Sequence, residues 1–506
     1  MTEQPTEQES ASEAPLPQAA EPPQAEAAAP DEASGFAHLT MAPSPKRTWK
    51  EFFLIPAILF VVGYAVLSGL AWDRVGKPSS DPHFTYLANA FLDGQLNLAR
   101  KAPHGNDWAS YEWMKLRSGQ EIKGVWRDRN TRRFETLDGQ IMVVDRAEVD
   151  PRAREKRVFV SFPPAPAVLI MPLAAIWGYN VDDVSFTIFF GALNFALMFI
   201  VLRRFSDGGR TGRTRSDNLW LTVLFGAGTV HLWCAVLGQV WFSALVIGAT
   251  FTLLYILASI DARHPLLAGI CLAIAFSTRT PLLFSAIFFM AFIFFPKGQW
   301  RREGWPEALK KLALFCLPCL LVGLTLLYYN YVRFESFTEF GHSYLAGGQI
   351  GRIRKFGLFN IHFLSKNLSA ALTLLPRIQP YEPFVVVSRH GMSLLLTTPV
   401  WIYLFRPMAR RTQDDRFWWG LLWATVAVVA IPGLFYQNTG YEQFGYRFSL
   451  DYTPYMVLLL AVGRRPLSRW FKALVIFGIA VNTFGAITFK RFDQFYMPGS
   501  TFFDPD

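Results

Sequence analysis

The chain has 506 residues, 52% hydrophobic and 16% aromatic, with 17% charged, and its mean hydropathy is positive. A soluble enzyme of this size carries more charge and lacks repeated apolar runs of about 18 or more residues, so composition excludes that class. The net charge of +10 does not point to nucleic acid either, because the basic residues sit mainly in short loops beside apolar segments, where they set topology.

Residues 1–45 contain no Lys or Arg and few large apolar side chains. Such a stretch cannot bury a core, and 1–48 is expected to be a disordered cytoplasmic tail. It also lacks the basic and apolar regions of a signal peptide. Lys46, Arg47 and Lys50 then precede the apolar run 52–71, which should cross outward as an uncleaved anchor. A membrane-embedded domain follows over 49–490.

The hydrophilic stretch 72–162 lies outside on this reading. Within it, Glu121–Trp126 and Phe134–Val144 alternate and turn at Asp138-Gly139, which predicts a small β insertion. Pro164–Gly178 is apolar, but fifteen helical residues reach roughly 22 Å, short of the roughly 30 Å hydrocarbon core. Treated as a helix on the outer leaflet, it lets 184–202 cross inward. That puts Arg203, Arg204, Arg210, Arg213 and Arg215 on the cytoplasmic side. The first outer loop thus spans 72–183.

Further spans are expected near 218–236, 241–260, 265–278, 281–296, 312–332, 391–405, 417–435, 450–463 and 470–489. The fold class is therefore an all-α polytopic membrane protein of about eleven spans, with an external tail at 491–506. A second long outer loop covers 333–390. In it, Ile361, Leu364, Leu368, Leu372 and Leu375 fall on one face of Phe359–Leu375, closed by Pro376, which predicts an interfacial helix. The same loop carries Arg333, Arg352, Arg354, Lys355, Lys366, Arg377 and Arg389, against the usual bias for a translocated segment. Cys234, Cys271, Cys316 and Cys319 all lie in apolar stretches and read as small buried hydrophobes, with no metal ligand set among them.

Chemistry is expected where polar residues meet span ends. Asp81 stands where the first span meets the outer loop, close to where the phosphate of a lipid carrier must sit. An inverting glycosyl transfer needs one carboxylate to take the acceptor hydroxyl proton, and a lipid phosphate leaves without a strong acid. Asp81-Pro82 is also a good helix start, and Asp73 is a rival carboxylate. His83 could orient an acceptor. Asp107 and Trp108, with Glu112, could grip a sugar, Trp108 stacking on its apolar face. Arg279 lies between two short apolar segments, where it could pair bidentately with a carrier phosphate or simply snorkel. Arg447 approaches the same face, with pairing to Glu442 or Asp451 as the structural alternative. Arg333, Arg352 and Arg354 are the second-loop residues best placed to reach such a site. Asn194, inside a span, reads as interhelical glue.

Several motifs in order carry a resemblance. They are Asp81-Pro82-His83 with Tyr86, Ala88 and Gly94; Phe162-Pro163-Pro164; Ser277-Thr278-Arg279-Thr280-Pro281; Arg333-Phe334-Glu335 with Phe340-Gly341; and Gln443-Phe444-Gly445-Tyr446-Arg447 with Pro454. Together, over roughly 50–490, they resemble the GT-C superfamily of membrane glycosyltransferases, in the bacterial branch near the aminoarabinose–lipid A transferases and protein O-mannosyltransferases. The resemblance implies a polyprenyl-phosphate sugar donor, a lipid, glycan or protein acceptor, a catalytic Asp81 and a basic phosphate-binding residue at Arg279. It implies a site on the periplasmic face of a bacterial inner membrane, with the N-terminus cytoplasmic. Relatives often carry two acidic residues where this chain has Asp81-Pro82, so no cofactor is assigned and a divalent metal stays open. The competing classes are a multi-span transporter or flippase, a glycan polymerase or ligase, and a non-catalytic scaffold. A transporter is expected to show repeated halves and midplane charges, and the sequence has neither.

Overall fold

Hydrocarbon offers a backbone no water, so apolar runs satisfy their own N–H and C=O groups by winding into helices. In the computed structural model, which describes residues 49–345, 349–406 and 413–497, six helices are long and apolar enough to cross a membrane. They are Phe53–Leu70, Asp183–Asp207, Val240–Ala262, Trp305–Phe334, Asp415–Phe435 and Arg469–Thr488. Shorter apolar helices occupy Ala165–Asn180, Pro265–Phe276, Thr280–Phe294 and Thr453–Val462. The protein is a helical membrane protein. The expected tail 1–48, and residues 498–506 of the expected external tail, lie outside the described residues.

Three expected spans differ in form. The segment 218–236 is a helix Arg215–Ala227, opened by a Thr214–Asp217 capping box, that stops at Gly228 and resumes only as His231–Ala235. The segment 281–296 starts as a 3-10 turn at Thr280–Ser285, where Pro281 supplies no N–H, and becomes α-helical at Ala286–Phe294. The segment 391–405 is a single turn, Leu394–Thr397, followed by the 3-10 helix Pro399–Phe405. The expected interfacial helix 359–375 likewise splits into Ile361–Phe363 (3-10), Leu364–Leu368 (α) and Ser369–Thr373 (π).

Val240–Ala262 and Asp183–Asp207 form the buried centre, whereas Phe53–Leu70 and Trp305–Phe334 turn most of their surface outward. On the latter, Leu317, Leu320, Leu321 and Leu324 are all exposed, as suits lipid. Cys234 and Cys271 are buried as expected, but Cys316 is exposed on this outward face. A polar knot pins the centre. Asn194 Nδ2 donates to the Val246 carbonyl at 3.0 Å and to His231 Nε2 at 3.2 Å, while Thr250 Oγ1 donates to Asn194 Oδ1 at 2.7 Å. That is the interhelical role expected for Asn194. Close approach elsewhere depends on glycine: a Cβ on Gly269 would lie 2.2 Å from the Phe315 carbonyl oxygen of the neighbouring helix.

The β insertion is larger than its one legible hairpin. Strands β1 (Trp108–Leu116), β2 (Glu121–Asp128), β3 (Arg133–Thr136), β4 (Ile141–Val143) and β5 (Val149–Val160) form one antiparallel sheet in the order β4-β3-β2-β1-β5. The Asp138-Gly139 turn joins β3 to β4, with Gly139 at φ +87°, a conformation that favours glycine. Met114, Ile122, Phe134, Val144 and Val149 make the insertion's own small core. β5 pairs with β1 from Trp108 opposite Val160 onward, and this fixes the chain on either side of β1. Tyr111, Phe159, Phe334 and Leu345 pack the sheet onto the end of the helix Trp305–Phe334.

Candidate functional site

The turn before the helix His83–Leu92, the loop 104–107 leading into β1, and the start of the helix Val240–Ser259 meet around Asp81. The Asp81 carbonyl accepts from Val240 N at 3.2 Å. Its Oδ2 accepts from Ser80 Oγ at 2.6 Å and Gln239 Nε2 at 3.3 Å, and its Oδ1 from Asn106 Nδ2 at 3.3 Å. His104 Nε2 lies 3.2 Å from the same Oδ1 and 2.8 Å from the Ser80 carbonyl, while His104 Nδ1 accepts from Asn106 N at 3.1 Å. One neutral tautomer of His104, protonated at Nε2, satisfies all three contacts. Asp81 is only 7% exposed.

His83 is fully buried, its ring stacked on Trp108 at a centroid distance of 3.7 Å, and its Nε2 donates to the Asn106 carbonyl at 3.1 Å. Burial pushes its pKa down to about 4, so the ring is neutral, and its Nδ1 has no partner among the described residues. Asp81, His83 and Trp108 thus clamp the loop that presents Asp107.

Asp107 adopts the left-handed backbone conformation at φ +54°. Its Oδ2 accepts from Trp241 Nε1 at 2.9 Å and its Oδ1 from Gln349 Nε2 at 3.2 Å. It lines a cavity of about 210 Å³ together with Arg279, Arg447, His342, Tyr436 and Phe448. Asp81 does not line this cavity. Trp241 and Phe162 do, and both pack against the ring of His83, which itself does not line the cavity.

Arg279 occupies the break between the helix Pro265–Phe276 and the turn Thr280–Ser285. Ser277 and Thr278 fold their hydroxyls back onto the Ala273 and Ile274 carbonyls there, and Pro281 follows. Its Nε and Nη2 donate to the two oxygens of Asp451, both at 2.7 Å, and its guanidinium rests over Phe448. Arg447 has no such counter-ion. Its Nη1 donates to the Glu442 carbonyl at 2.7 Å and it lies between the rings of Phe242 and Phe448, but its Nε has no partner and no carboxylate pairs with it among the described residues. Burial, reinforced by the neighbouring Arg279, pulls its pKa down to about 10. A guanidinium held this way, 5% exposed and lining a cavity, has the chemistry to accept an anion.

The structure therefore brings together three of the residues singled out in the sequence: Asp107, Arg279 and Arg447. The remaining basic candidates lie elsewhere. Arg333 is buried, donating from Nη1 to the Val160 carbonyl at 2.7 Å and from Nη2 to Asn330 Oδ1 at 2.8 Å, which ties the helix Trp305–Phe334 to β5. Arg354 faces Glu135 of the sheet at 3.6 Å, and Arg352 does not reach the cavity. Asp73 is held by Arg491 at 2.9 Å, a partner that keeps its carboxyl below the usual range. Sequence reasoning missed Trp241, Gln349 and Tyr436, whose place at the cavity depends on folding alone. It offered Asp451 as a partner for Arg447, whereas the carboxylate serves Arg279. Among the described residues no group of three His, Cys, Asp or Glu side chains converges as a metal site. No family model matches the chain, and neither curated proteins nor solved structures give a match.

Proposed function

We propose that the protein is a membrane-embedded glycosyltransferase that moves a sugar from a polyprenyl-phosphate carrier to a lipid, glycan or protein acceptor. The observation that carries this reading is the cavity itself, lined by Arg279, by the Asp107 carboxylate and by Arg447, with which no carboxylate pairs among the described residues, within one set of aromatic walls. Arg447 and Arg279 receive the phosphate and stabilise the charge that builds on it. The acceptor oxygen attacks the anomeric carbon, the bond from that carbon to the phosphate oxygen breaks with its electron pair going to phosphate, and the hydroxyl proton passes to a carboxylate. Asp107 is the carboxylate facing the cavity, and Asp81 fixes the loop that presents it. A second reading keeps Asp81 as the base, because among the described residues its Oδ1 is met only by the Asn106 amide, at 3.3 Å, and the partly exposed His104. The motif resemblance to GT-C enzymes supports the class.

In this reading the chain crosses eleven times. Pro265–Phe276, Thr280–Phe294, Thr453–Val462, the broken segment 215–235 and the segment 394–405 join the six long helices, while Ala165–Trp177 stays on the surface. The arginine-rich turns then lie in the cytoplasm with the N-terminus, and the cavity opens on the opposite, periplasmic side of a bacterial inner membrane.

The test is purified protein in lipid vesicles, given radiolabelled polyprenyl-phosphate sugars, comparing wild type with Asp107→Asn and Asp81→Asn. Wild type is expected to transfer or hydrolyse the sugar, and Asp107→Asn to bind the carrier without turning it over. Turnover that survives Asp107→Asn but vanishes in Asp81→Asn moves the base to Asp81. Wild-type protein that neither binds the carrier nor turns it over defeats the class and favours transport.

A further inference from the structure

The segment 359–384 carries large apolar side chains on its surface although it lies outside every helix long enough to span. Phe359, Ile361, Leu375, Ile378, Tyr381 and Phe384 are each more than half exposed, Ile378 most of all at 76%. Strung along one segment, such side chains in water would be an aggregation hazard. The segment is anchored at the ends of two membrane helices. Asn360 N donates to the Phe435 carbonyl at 2.9 Å, and Asn367 Nδ2 donates to the Leu434 and Tyr436 carbonyls at 3.0 and 2.7 Å, where the helix Gln413–Phe435 stops. At the other end Val387 N donates to the Phe495 carbonyl at 2.7 Å, and Met497 N donates back to the Val387 carbonyl at 2.9 Å, just past the helix Arg469–Thr488.

Between these anchors projects a short hairpin, Arg377–Ile378 paired with Val385–Val386. Its tip is closed by Gln379, whose N donates to the Phe384 carbonyl and whose Nε2 donates to the Pro383 carbonyl. From Leu372 to Val386 the only charged residues are Arg377 and Glu382, so the tip carries no net charge. Elements tied to span ends lie at the border of the bilayer, and a neutral apolar tip with a tyrosine suits that border.

We propose that 359–384 is embedded in lipid, with Ile378, Tyr381 and Phe384 inserted among the acyl chains of the leaflet next to the cavity. Leu358 and Phe359, which line the cavity, then stand at the lipid boundary, so the cavity has an apolar side open to the membrane as well as an aqueous one. The embedding does not rest on the glycosyltransferase reading; it would hold for any protein with this fold.

Spin labels test it. Cysteines replacing Ile378, Tyr381 or Phe384 are introduced one at a time in a Cys316→Ser, Cys319→Ser background, with Asn130→Cys in the β2–β3 turn as an aqueous reference. After reconstitution into phosphatidylethanolamine–phosphatidylglycerol vesicles, power saturation compares collisions with oxygen and with a water-soluble nickel chelate. The expected result is an oxygen-to-nickel ratio several-fold higher at the three hairpin positions than at 130. An equal ratio overturns the proposal, since the tip then stands in water. Low collision with both reagents also overturns it, because a protein surface, such as a second copy of this chain, then covers the tip.

Discussion

Arg447→Met separates an anion receptor from a structural strut, because the two roles give opposite balances of stability and binding. Burial brings the Arg447 pKa from 12.5 to about 10, a bias against the charged form of roughly 3 kcal/mol. Met removes that cost while still filling the space between Phe242 and Phe448. Against this stand the bond to the Glu442 carbonyl, worth about 1.5–3 kcal/mol for a charged donor, and the two ring contacts, worth about 1–2 kcal/mol together. The opposing effects largely offset one another, so the variant is expected to unfold within about 2 kcal/mol of wild type. Carrier binding, in contrast, loses a charge-assisted contact and should weaken about ten- to hundredfold. Denaturant unfolding in detergent, run with and without polyprenyl phosphate, reads both quantities, because ligand raises stability with the logarithm of its affinity. A variant destabilised by more than about 3 kcal/mol that keeps full carrier affinity would refute the reasoning and make Arg447 a strut.

Three further predictions concern the surroundings. Asp451→Ala strips the counter-ion from Arg279 and should cost about 3–5 kcal/mol in unfolding, much of it recovered when Arg279→Met is added; a cost below about 1 kcal/mol means the pair is not formed. Gly269→Ala sets a methyl against the Phe315 carbonyl, so the helices Pro265–Phe276 and Trp305–Phe334 must part, at about 1–3 kcal/mol; an unchanged unfolding midpoint contradicts that close approach. His83 has a folded pKa of about 4 against 6.5 when unfolded, so between those values the unfolded chain binds more protons. Its contribution is fully present above pH 6.5 and is lost on acidification, by about 3 kcal/mol in total. His83→Phe, which keeps a ring against Trp108, should therefore unfold with a shallower pH slope than wild type across that window, and equal slopes count against a buried neutral His83.

Helices of the interior announce themselves in composition, and so the long apolar runs were legible as spans. What composition hides is where a run breaks: Gly228, Pro281 and Pro399 each end or tighten a helix inside a stretch that reads as continuous by hydropathy. The sheet was legible only where alternation meets a tight turn. β5 runs Arg152, Arg154, Glu155, Lys156, Arg157 and reads as a charged loop; its strand character comes from pairing with β1 about forty residues earlier, which no local pattern encodes. Within the site, Arg279 and Arg447 stood out because a guanidinium between apolar segments needs a reason. Asp81 stood out as a carboxylate where the first span meets the outer loop, but its partners Asn106, His104 and Gln239 come from two other elements, and it does not line the cavity. Asp107 gave a weaker signal in a polar loop, and only the fold brings Trp241 and Gln349 to its two oxygens.

The ion pair between Asp73 and Arg491 joins the first long helix to the last. Arg491 also donates to the Leu70 carbonyl at 2.7 Å, and Arg74 reciprocates by donating to the Phe489 carbonyl at 2.7 Å. The partners lie 418 residues apart, so during synthesis the helix Phe53–Leu70 waits for nearly the whole membrane domain to be made before its end is fastened. Until then its mostly lipid-facing surface is held by its packing against Asp183–Asp207. Assembly of the bundle thus ends with a latch, and a chain stopped before Arg491 would carry every transmembrane element yet leave that seam open.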